Sequence, residues 1–233
     1  MPALVRRRQV WLPTWQGWLV LALLVAATAL LGATRIVGFL TPQEPAPGAR
    51  ILVVEGWLEQ ADLRLAIAVF EGGRYERILT TGGPVESWDD PPGMVSSAER
   101  AAAFIAAHAP AGTKVTAVPA PASAQDRTYL SAVVLREWAR AQGLALDAID
   151  LFTAGVHARR SRMMFAQALG PSVGVGVLAA APRHWDAERW WTSSHGAKTV
   201  IGESLGVAWT VCCFRPAPPG SHAERWGPPP ARP

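Results

Sequence analysis

The sequence has only two cysteines, Cys212 and Cys213, and they are neighbours. Adjacent cysteines rarely meet disulfide geometry because their side chains diverge, so we expect no disulfide bond. Two cysteines without metal-ligand spacing nearby also argue against a zinc site. We therefore predict that both are small buried hydrophobic residues near the end of the last helix.

Common catalytic and cofactor motifs are also scarce. The sequence contains no P-loop, no G-x-G-x-x-G and no H-E-x-x-H. Four acidic and histidine residues late in the chain follow no known metal spacing: His184, Asp186, Glu188 and His195. We therefore expect neither a metal ion nor an organic cofactor.

Positive charge is present but not concentrated. The net charge is +4, from 22 Lys and Arg against 18 Asp and Glu. Only Arg6 to Arg8 and the arginines at positions 159, 160 and 162 form clusters. A nucleic-acid-binding surface needs a long basic stripe, so we expect no nucleic-acid partner.

One long hydrophobic run does occur, near the N-terminus. Residues 9–34 carry no charge, and residues 15–40 are long enough to cross a bilayer. Residues 1–14 form a short basic N-terminus with Trp11 just before the span, as expected for an aromatic belt and a cytoplasmic N-terminus. A cleaved signal peptide is the alternative, since residues 27–29 resemble a cleavage site, but the apolar run continues to Leu40 and favours a retained anchor. In both cases the following domain is exported.

After this span, strand and helix signals alternate. Residues 41–49 predict a stiff Pro-rich linker that lifts the domain off the membrane, and residues 215–233 predict a disordered Pro-rich tail. Between them, residues 50–214 predict an α/β domain: a Rossmann-like, mostly parallel five-stranded sheet with helices on both faces. The expected strands are residues 51–54, 77–81, 114–118, 149–153 and 173–180, and two late segments, 185–191 and 199–211, are expected to be helical.

The fourth predicted strand leads into the segment that most suggests a functional site. A Gly-bearing turn at Gly155 opens a helix and offers backbone N–H donors at its positive end. His157 adds a titratable ring, while Arg159 and Arg160 add fixed positive charge. This combination suits an anionic group; the alternative is a solvated basic helix start.

Three other strand ends carry polar residues or glycines that should converge on the same crevice. Glu55 ends the first strand, Gly82 and Gly83 follow the second, and Asp126, Arg127 and Thr128 follow the third. Purely structural roles are the alternative to ligand binding. The glycines suit a tight turn, and Asp126 or Thr128 could cap the next helix.

The order of these motifs resembles the SanA/ElyC/YdcF family of bacterial envelope proteins. That family shows a strand ending in a Gly turn, a strand ending in Ser/Thr-Gly-Gly, a helical Glu, a Thr before a helix-start Ala, a strand leading to His-x-x-Arg, and a late helical Glu. Here the matching positions are Val54-Glu55-Gly56, Thr81-Gly82-Gly83, Glu99, Thr128 to Ala132, His157 to Arg160, and Glu203.

The resemblance implies a membrane-anchored, Rossmann-like domain on the extracytoplasmic side of the bacterial inner membrane, in envelope or cell-wall precursor metabolism. The expected ligand is a phosphorylated small molecule or a lipid-linked one, held by Gly82, Gly83, Arg127, Thr128, Arg159 and Arg160. His157 is the expected general acid or base, oriented by Glu55 or Asp126. A non-catalytic regulator that binds a nucleotide-like ligand or a protein partner is the alternative.

Overall fold

A computed structural model describes residues 12–85, 96–123 and 126–226. The chain divides into two compact units, Met1–Ile36 and Val37–Pro233. Helix α1, Trp15–Leu40, has the predicted bounds and is long and apolar enough to cross a membrane. Its 26 residues rise about 1.5 Å each, or about 39 Å, which exceeds the roughly 30 Å hydrocarbon core of a bilayer.

The second unit contains the predicted α/β fold. Its five strands form one parallel sheet in the order β3-β2-β1-β4-β5, which is the Rossmann arrangement around a reversal between β1 and β4. The strands are β1 Ile51–Glu55, β2 Arg77–Gly82, β3 Val115–Pro119, β4 Ala148–Ala154 and β5 Gly174–Ala180.

Helices cover both faces of this sheet, as predicted. Along β1, Val53 belongs to one apolar cluster and Leu52 to the other, because successive side chains of a strand point to opposite faces. The helices are α2 Gln60–Gly72, α3 Ser97–His108, α4 Arg127–Ala141, α5 Ala158–Leu169, α6 Ser194–Cys212 and α7 His222–Trp226. The first cluster includes residues of α4 and α5, and the second includes residues of α2 and α3.

The segment predicted to be a spacer instead lies along the edge of the sheet. Glu44 exchanges two backbone hydrogen bonds of 2.9 Å with Val177 of β5. Gln43 binds both the carbonyl and the N–H of Ala179 through its side-chain amide. These contacts satisfy backbone groups that an edge strand would leave open. Gln43 and Glu44 therefore pair with the sheet and do not form part of a free Pro-rich linker.

Part of the tail is also ordered. Helix α7 buries Glu224, which is 6% exposed and accepts hydrogen bonds from both terminal nitrogens of Arg136 at 2.9 and 2.7 Å. Glu224 further accepts bonds from Tyr129 and from the Gly220 N–H. The prediction of disorder is wrong for this part of the tail, because a buried ion pair holds it to α4; residues 227–233 lie outside the described residues.

Two further local predictions are wrong. Cys212 and Cys213 are exposed and joined by a disulfide bond. Cys213 has left the helical conformation, with φ −129° and ψ −25°, which lets its side chain turn towards its neighbour. The segment predicted as a helix at 185–191 contains only the start of a short 3₁₀ turn, Trp190–Thr192. Its residues are instead held by short-range turns such as the Asp186 to Arg189 hydrogen bonds.

Candidate functional site

A large cleft lies at the carboxyl ends of the strands, where the strand order reverses. Its volume is about 1220 Å³, which exceeds the range of about 300–1,000 Å³ typical of small-molecule pockets. Glu55 from the end of β1 and His157 from the turn after β4 line it together. The four strand ends expected to converge do so, since Gly82, Gly83 and the start of α4 also line this cleft.

At the centre of the cleft, His157 is held by a carboxylate from α6. Its Nδ1 lies 2.9 Å from Oε1 of Glu203. Because a carboxylate oxygen only accepts, Nδ1 carries the hydrogen and donates it, which leaves Nε2 with a lone pair. Nη2 of Arg160 also lies 2.9 Å from Nδ1, but in this tautomer both nitrogens carry hydrogens, so that contact is not a hydrogen bond.

Arg160 completes the cluster by donating hydrogen bonds to the carboxylate of Glu203. Its Nε donates to Oε2 of Glu203 at 2.8 Å and its Nη2 donates to Oε1 at 3.0 Å. Burial alone would raise the pKa of Glu203, but the hydrogen bonds from His157 and Arg160 outweigh it and lower that pKa to about 2. Burial would likewise lower the pKa of Arg160, yet Glu203 raises it. Both groups are therefore charged at neutral pH.

Glu55 occupies a separate buried position at the end of β1. It is 4% exposed and accepts hydrogen bonds from the hydroxyl of Thr153 and from the Ser161 hydroxyl, the latter at 3.1 and 3.2 Å. Neither Glu55 nor Asp126 hydrogen-bonds to His157 among the described residues. The expectation that one of them orients the imidazole is corrected, since Glu203 occupies that place.

Asp126 precedes α4 but does not cap it. Its φ is 51° and its side chain makes no capping hydrogen bond, so the capping interpretation is wrong. Asp126 is the one non-glycine residue with positive φ in the described part of the chain, and such strain is concentrated at functional sites. Desolvation raises the pKa of Asp126 although the positive charge of Arg160 opposes it.

The end of β2 adds an unsatisfied hydroxyl to the cleft. Thr81 is 1% exposed, and its Oγ1 has no hydrogen-bond partner in the described structure. Gly82 follows with φ 150°, and a Cβ there would collide with the Ser97 hydroxyl. This close approach lets the start of α3 sit beside Thr81. A buried unpaired hydroxyl at the wall of a cleft is a place where a ligand atom can form a hydrogen bond.

The two neighbouring arginines of α5 separate. Arg160 lines the cleft, as Arg127 and Thr128 do. Arg159 instead lies with its guanidinium 4.0 Å from the centre of the Phe39 ring and donates through Nε to the Phe39 carbonyl. Successive helix residues point about 100° apart, so only one of the pair can face the cleft. The prediction that Arg159 binds the ligand is therefore wrong.

Two other candidate chemistries find no support. Within the described ranges, no three His, Cys, Asp or Glu residues are placed to hold a metal ion; His184, for example, pairs with Glu59 at 2.9 Å. Residues 202–206 spell the G-x-S-x-G motif, which marks a nucleophile elbow only at a strand-to-helix turn. Here Ser204 lies inside α6 and donates to the Val200 carbonyl at 2.7 Å.

Sequence reasoning missed the role of Glu203 and Thr81. Glu203 entered only as a late helical glutamate in the family resemblance. A signal was present, because Glu203 is the one acidic residue of α6. Comparisons with protein-family models, curated proteins and solved structures return no match.

Proposed function

We propose that this cleft binds and acts on a phosphorylated precursor of the cell envelope, and that the substrate class includes lipid-linked phosphates. The observation that carries the proposal is the His157–Glu203–Arg160 cluster at the reversal of strand order. A histidine whose Nδ1–H is held by a carboxylate presents Nε2 as a general base. The family resemblance and the helix α1 support the assignment to the envelope.

The charges of the cleft limit how a phosphate can be held. Four arginines and five carboxylates line it, so no uniform positive field attracts an anion. Arg160 is engaged by Glu203 and Arg183 by Asp62. Arg127 also lines the cleft, and the Thr81 hydroxyl adds a neutral donor. We therefore propose that a phosphate binds through individual donors, close to the ends of β2 and β3.

The proposal places the N-terminus in the cytoplasm and the domain outside the inner membrane. The arginines at positions 6–8 precede α1, and basic residues stay on the cytoplasmic side. A reporter that is active only in the cytoplasm, fused after Trp226, should be silent. A signal from that fusion would reverse the assignment.

The test of the function uses the full-length protein in nonionic detergent. A truncated protein beginning at Pro45 would lack Leu40, which is fully buried, and the contacts of Gln43 and Glu44 with β5. The full-length protein is incubated with a panel of nucleotides, sugar phosphates and polyprenyl phosphates and pyrophosphates, and both binding and phosphate release are measured. Turnover of a polyprenyl compound in preference to soluble ones is the expected result.

His157→Gln separates catalysis from binding. If Nε2 moves a proton, turnover should fall by about 10²–10⁴-fold, the usual contribution of general acid–base catalysis, while binding persists. His108→Gln is the matched control, because His108 is an exposed histidine of α3 and should change neither. Full turnover in His157→Gln would remove this residue from the mechanism.

Arg160→Ala tests whether Arg160, besides holding Glu203, also contributes to binding of the anion. Binding should weaken by about 2–3 kcal/mol, the range for hydrogen bonds to charged groups. Arg160→Lys should rescue it poorly, because a point charge cannot replace the fork that holds Glu203 through two nitrogens. Unchanged binding in both variants would assign Arg160 a structural role alone.

A non-catalytic regulator is the second candidate. It is favoured by one observation: His157, Glu55 and Asp126 do not form the hydrogen-bonded catalytic set that an enzyme of the predicted kind would show. The cleft at a Rossmann reversal point suits a nucleotide-like ligand. Binding of such a ligand without turnover on any compound of the panel would favour this candidate over the enzyme.

A further inference from the structure

Trp57 is a half-exposed indole in the turn that follows β1. The residues on either side of it, Gly56 and Leu58, are buried, whereas Trp57 is 47% exposed and lines the cleft. The backbone is held in place here, because the Gly56 N–H donates to the Thr81 carbonyl at 2.6 Å. A fixed indole at the wall of a cleft offers a ligand a flat apolar surface at little cost in conformational entropy.

Trp57 also contacts the proposed general base. The centroids of the Trp57 and His157 rings lie 5.3 Å apart, and the two rings are perpendicular. A perpendicular contact leaves at least one face of the indole uncovered by His157. A ligand ring packed on that face is separated from His157 by no more than the thickness of the indole, so both can contact the same small molecule.

The wall of the cleft beside Trp57 along the chain is charged rather than apolar. Two ion pairs join the segment after β5 to the start of α2. The Nε of Arg183 donates to Asp62 at 2.8 Å, and the Nε2 of His184 lies 2.9 Å from a carboxylate oxygen of Glu59. All four residues line the cleft. Glu59 stands at the N-cap of α2 but its side chain makes no capping hydrogen bond, so helix capping does not explain its position.

The proposed phosphate position lies on the neighbouring strand. Glu55 of β1 is the register partner of Thr81 of β2, and neighbouring strands are about 4.8 Å apart. Trp57 follows Glu55 by two residues, and Thr81 carries the buried hydroxyl without a partner in the described structure. A ring on Trp57 and a phosphate near Thr81 are therefore close enough to belong to one small ligand.

We propose that Trp57, Glu59, Asp62, Arg183 and His184 form a saccharide subsite, which holds the sugar ring of a sugar phosphate. The C–H groups on one face of a pyranose ring are attracted to the negatively polarised face of an aromatic ring. The sugar hydroxyls both donate and accept hydrogen bonds, and the two ion pairs supply acceptors and donors for them. A nucleobase fits less well, because its two apolar faces favour stacking and the wall beside the indole is charged.

The saccharide subsite rests on the proposed function and deepens it, because it identifies the group that the phosphate is attached to. The cleft should then distinguish two phosphate esters of equal charge by the presence of a sugar ring. A sugar that covers half of the exposed indole buries roughly 60 Å² of apolar surface, at about 25 cal/mol per Å². This corresponds to about a tenfold difference in affinity.

The experiment is isothermal titration calorimetry of the full-length protein in a polyoxyethylene detergent, which has no sugar headgroup. Glucose 1-phosphate is compared with glycerol 3-phosphate, while methyl glucoside tests the sugar alone and adenosine monophosphate tests a nucleobase. The variants are Trp57→Ala and the conservative Trp57→Tyr. Trp191→Ala is the matched control, because Trp191 is 42% exposed and is not among the described residues that line the cleft.

The wild type should bind glucose 1-phosphate about tenfold more tightly than glycerol 3-phosphate. Trp57→Ala should lose this preference without a change in the affinity for glycerol 3-phosphate. Trp57→Tyr should keep most of the preference, because tyrosine retains an aromatic face, and Trp191→Ala should keep all of it. This pattern separates a stacking role of Trp57 from a general effect on folding.

Equal affinity of the wild type for the two phosphates would overturn the saccharide subsite, and so would a preference that survives in Trp57→Ala. Tighter binding of adenosine monophosphate than of glucose 1-phosphate, lost in Trp57→Ala, would overturn it by assigning the indole to a nucleobase. Failure of the proposed function gives a different result: methyl glucoside binds through Trp57, and neither phosphate binds more tightly than this neutral sugar. Absence of binding for every probe would refute both.

Discussion

Replacing Glu203 with glutamine should destabilise the protein by about 3 kcal/mol at neutral pH, and this loss should shrink in acid. The pKa of Glu203 is about 2 against an ordinary value of 4.5, and one pKa unit corresponds to about 1.4 kcal/mol. The side chain is only 17% exposed, so solvent screens these interactions weakly. Because the pKa is lowered in the folded state, the stabilisation is complete above pH 4.5 and is lost as the pH falls towards 2.

The measurement is urea unfolding of the full-length protein in nonionic detergent, followed by tryptophan fluorescence at neutral pH and at about pH 3. Glu76→Gln is the control. Glu76 pairs with Arg50, but both side chains are more than half exposed, and exposed pairs contribute at most about 1 kcal/mol. The difference in unfolding free energy between wild type and Glu203→Gln should therefore exceed the control at neutral pH.

Two results would refute this reasoning. The first is a loss of unfolding free energy in Glu203→Gln no larger than that in Glu76→Gln. This would mean that the Glu203 carboxylate is solvated. The second is a loss that stays constant between the two pH values. In that case the substitution acts through packing, and the charge that holds His157 and Arg160 contributes nothing to stability.

Three further outcomes are expected. Gly56→Ala should lower the unfolding free energy by more than about 1 kcal/mol, since its new carbon would overlap the backbone at the start of α3, whereas Gly72→Ala meets nothing within 4 Å at the end of α2 and should be neutral or stabilising. Glu224→Ala leaves its buried arginine partner on α4 unpaired, so urea unfolding should show a loss of about 3–5 kcal/mol; a loss below about 1 kcal/mol, the level of an exposed pair, would contradict the role of this ion pair in holding the tail. Unreduced protein in denaturant should show no thiol that reacts with a colorimetric reagent and two after reduction, because Cys212 and Cys213 are bonded.

The fold was predictable because its signals are local. Strands of a parallel sheet are buried on both faces and therefore appear as continuous apolar runs. β1 was predicted at residues 51–54 and spans Ile51–Glu55; α1 was predicted at its observed bounds. The linker and the tail were mispredicted because their proline content suggests extended, unpaired chain, and only tertiary contacts such as the Glu44 pairing with β5 reveal their positions.

The candidate site was predictable in outline only. Polar residues at strand ends converge because the carboxyl ends of parallel strands share one edge. The partner of His157 could not be chosen in this way, since Glu203 comes from a helix 46 residues later in the chain. The sequence also could not tell which of Arg159 and Arg160 lines the cleft. That depends on how α5 is rotated about its axis, and no sequence pattern predicts this rotation.

Helix α6 shows why periodicity alone misassigns a surface. A helical period identifies which residues share a face, but it does not say which face is buried. The usual assumption that the apolar face points inward holds when water is the solvent on the other side. In α6 the buried residues include the apolar Val200 and Val207, Glu203 is part-buried beside His157 and Arg160, which stabilise its charge, and the apolar Leu205 points outward. The inward position of Glu203 therefore follows from its contacts with His157 and Arg160, and the periodicity of α6 alone does not mark it.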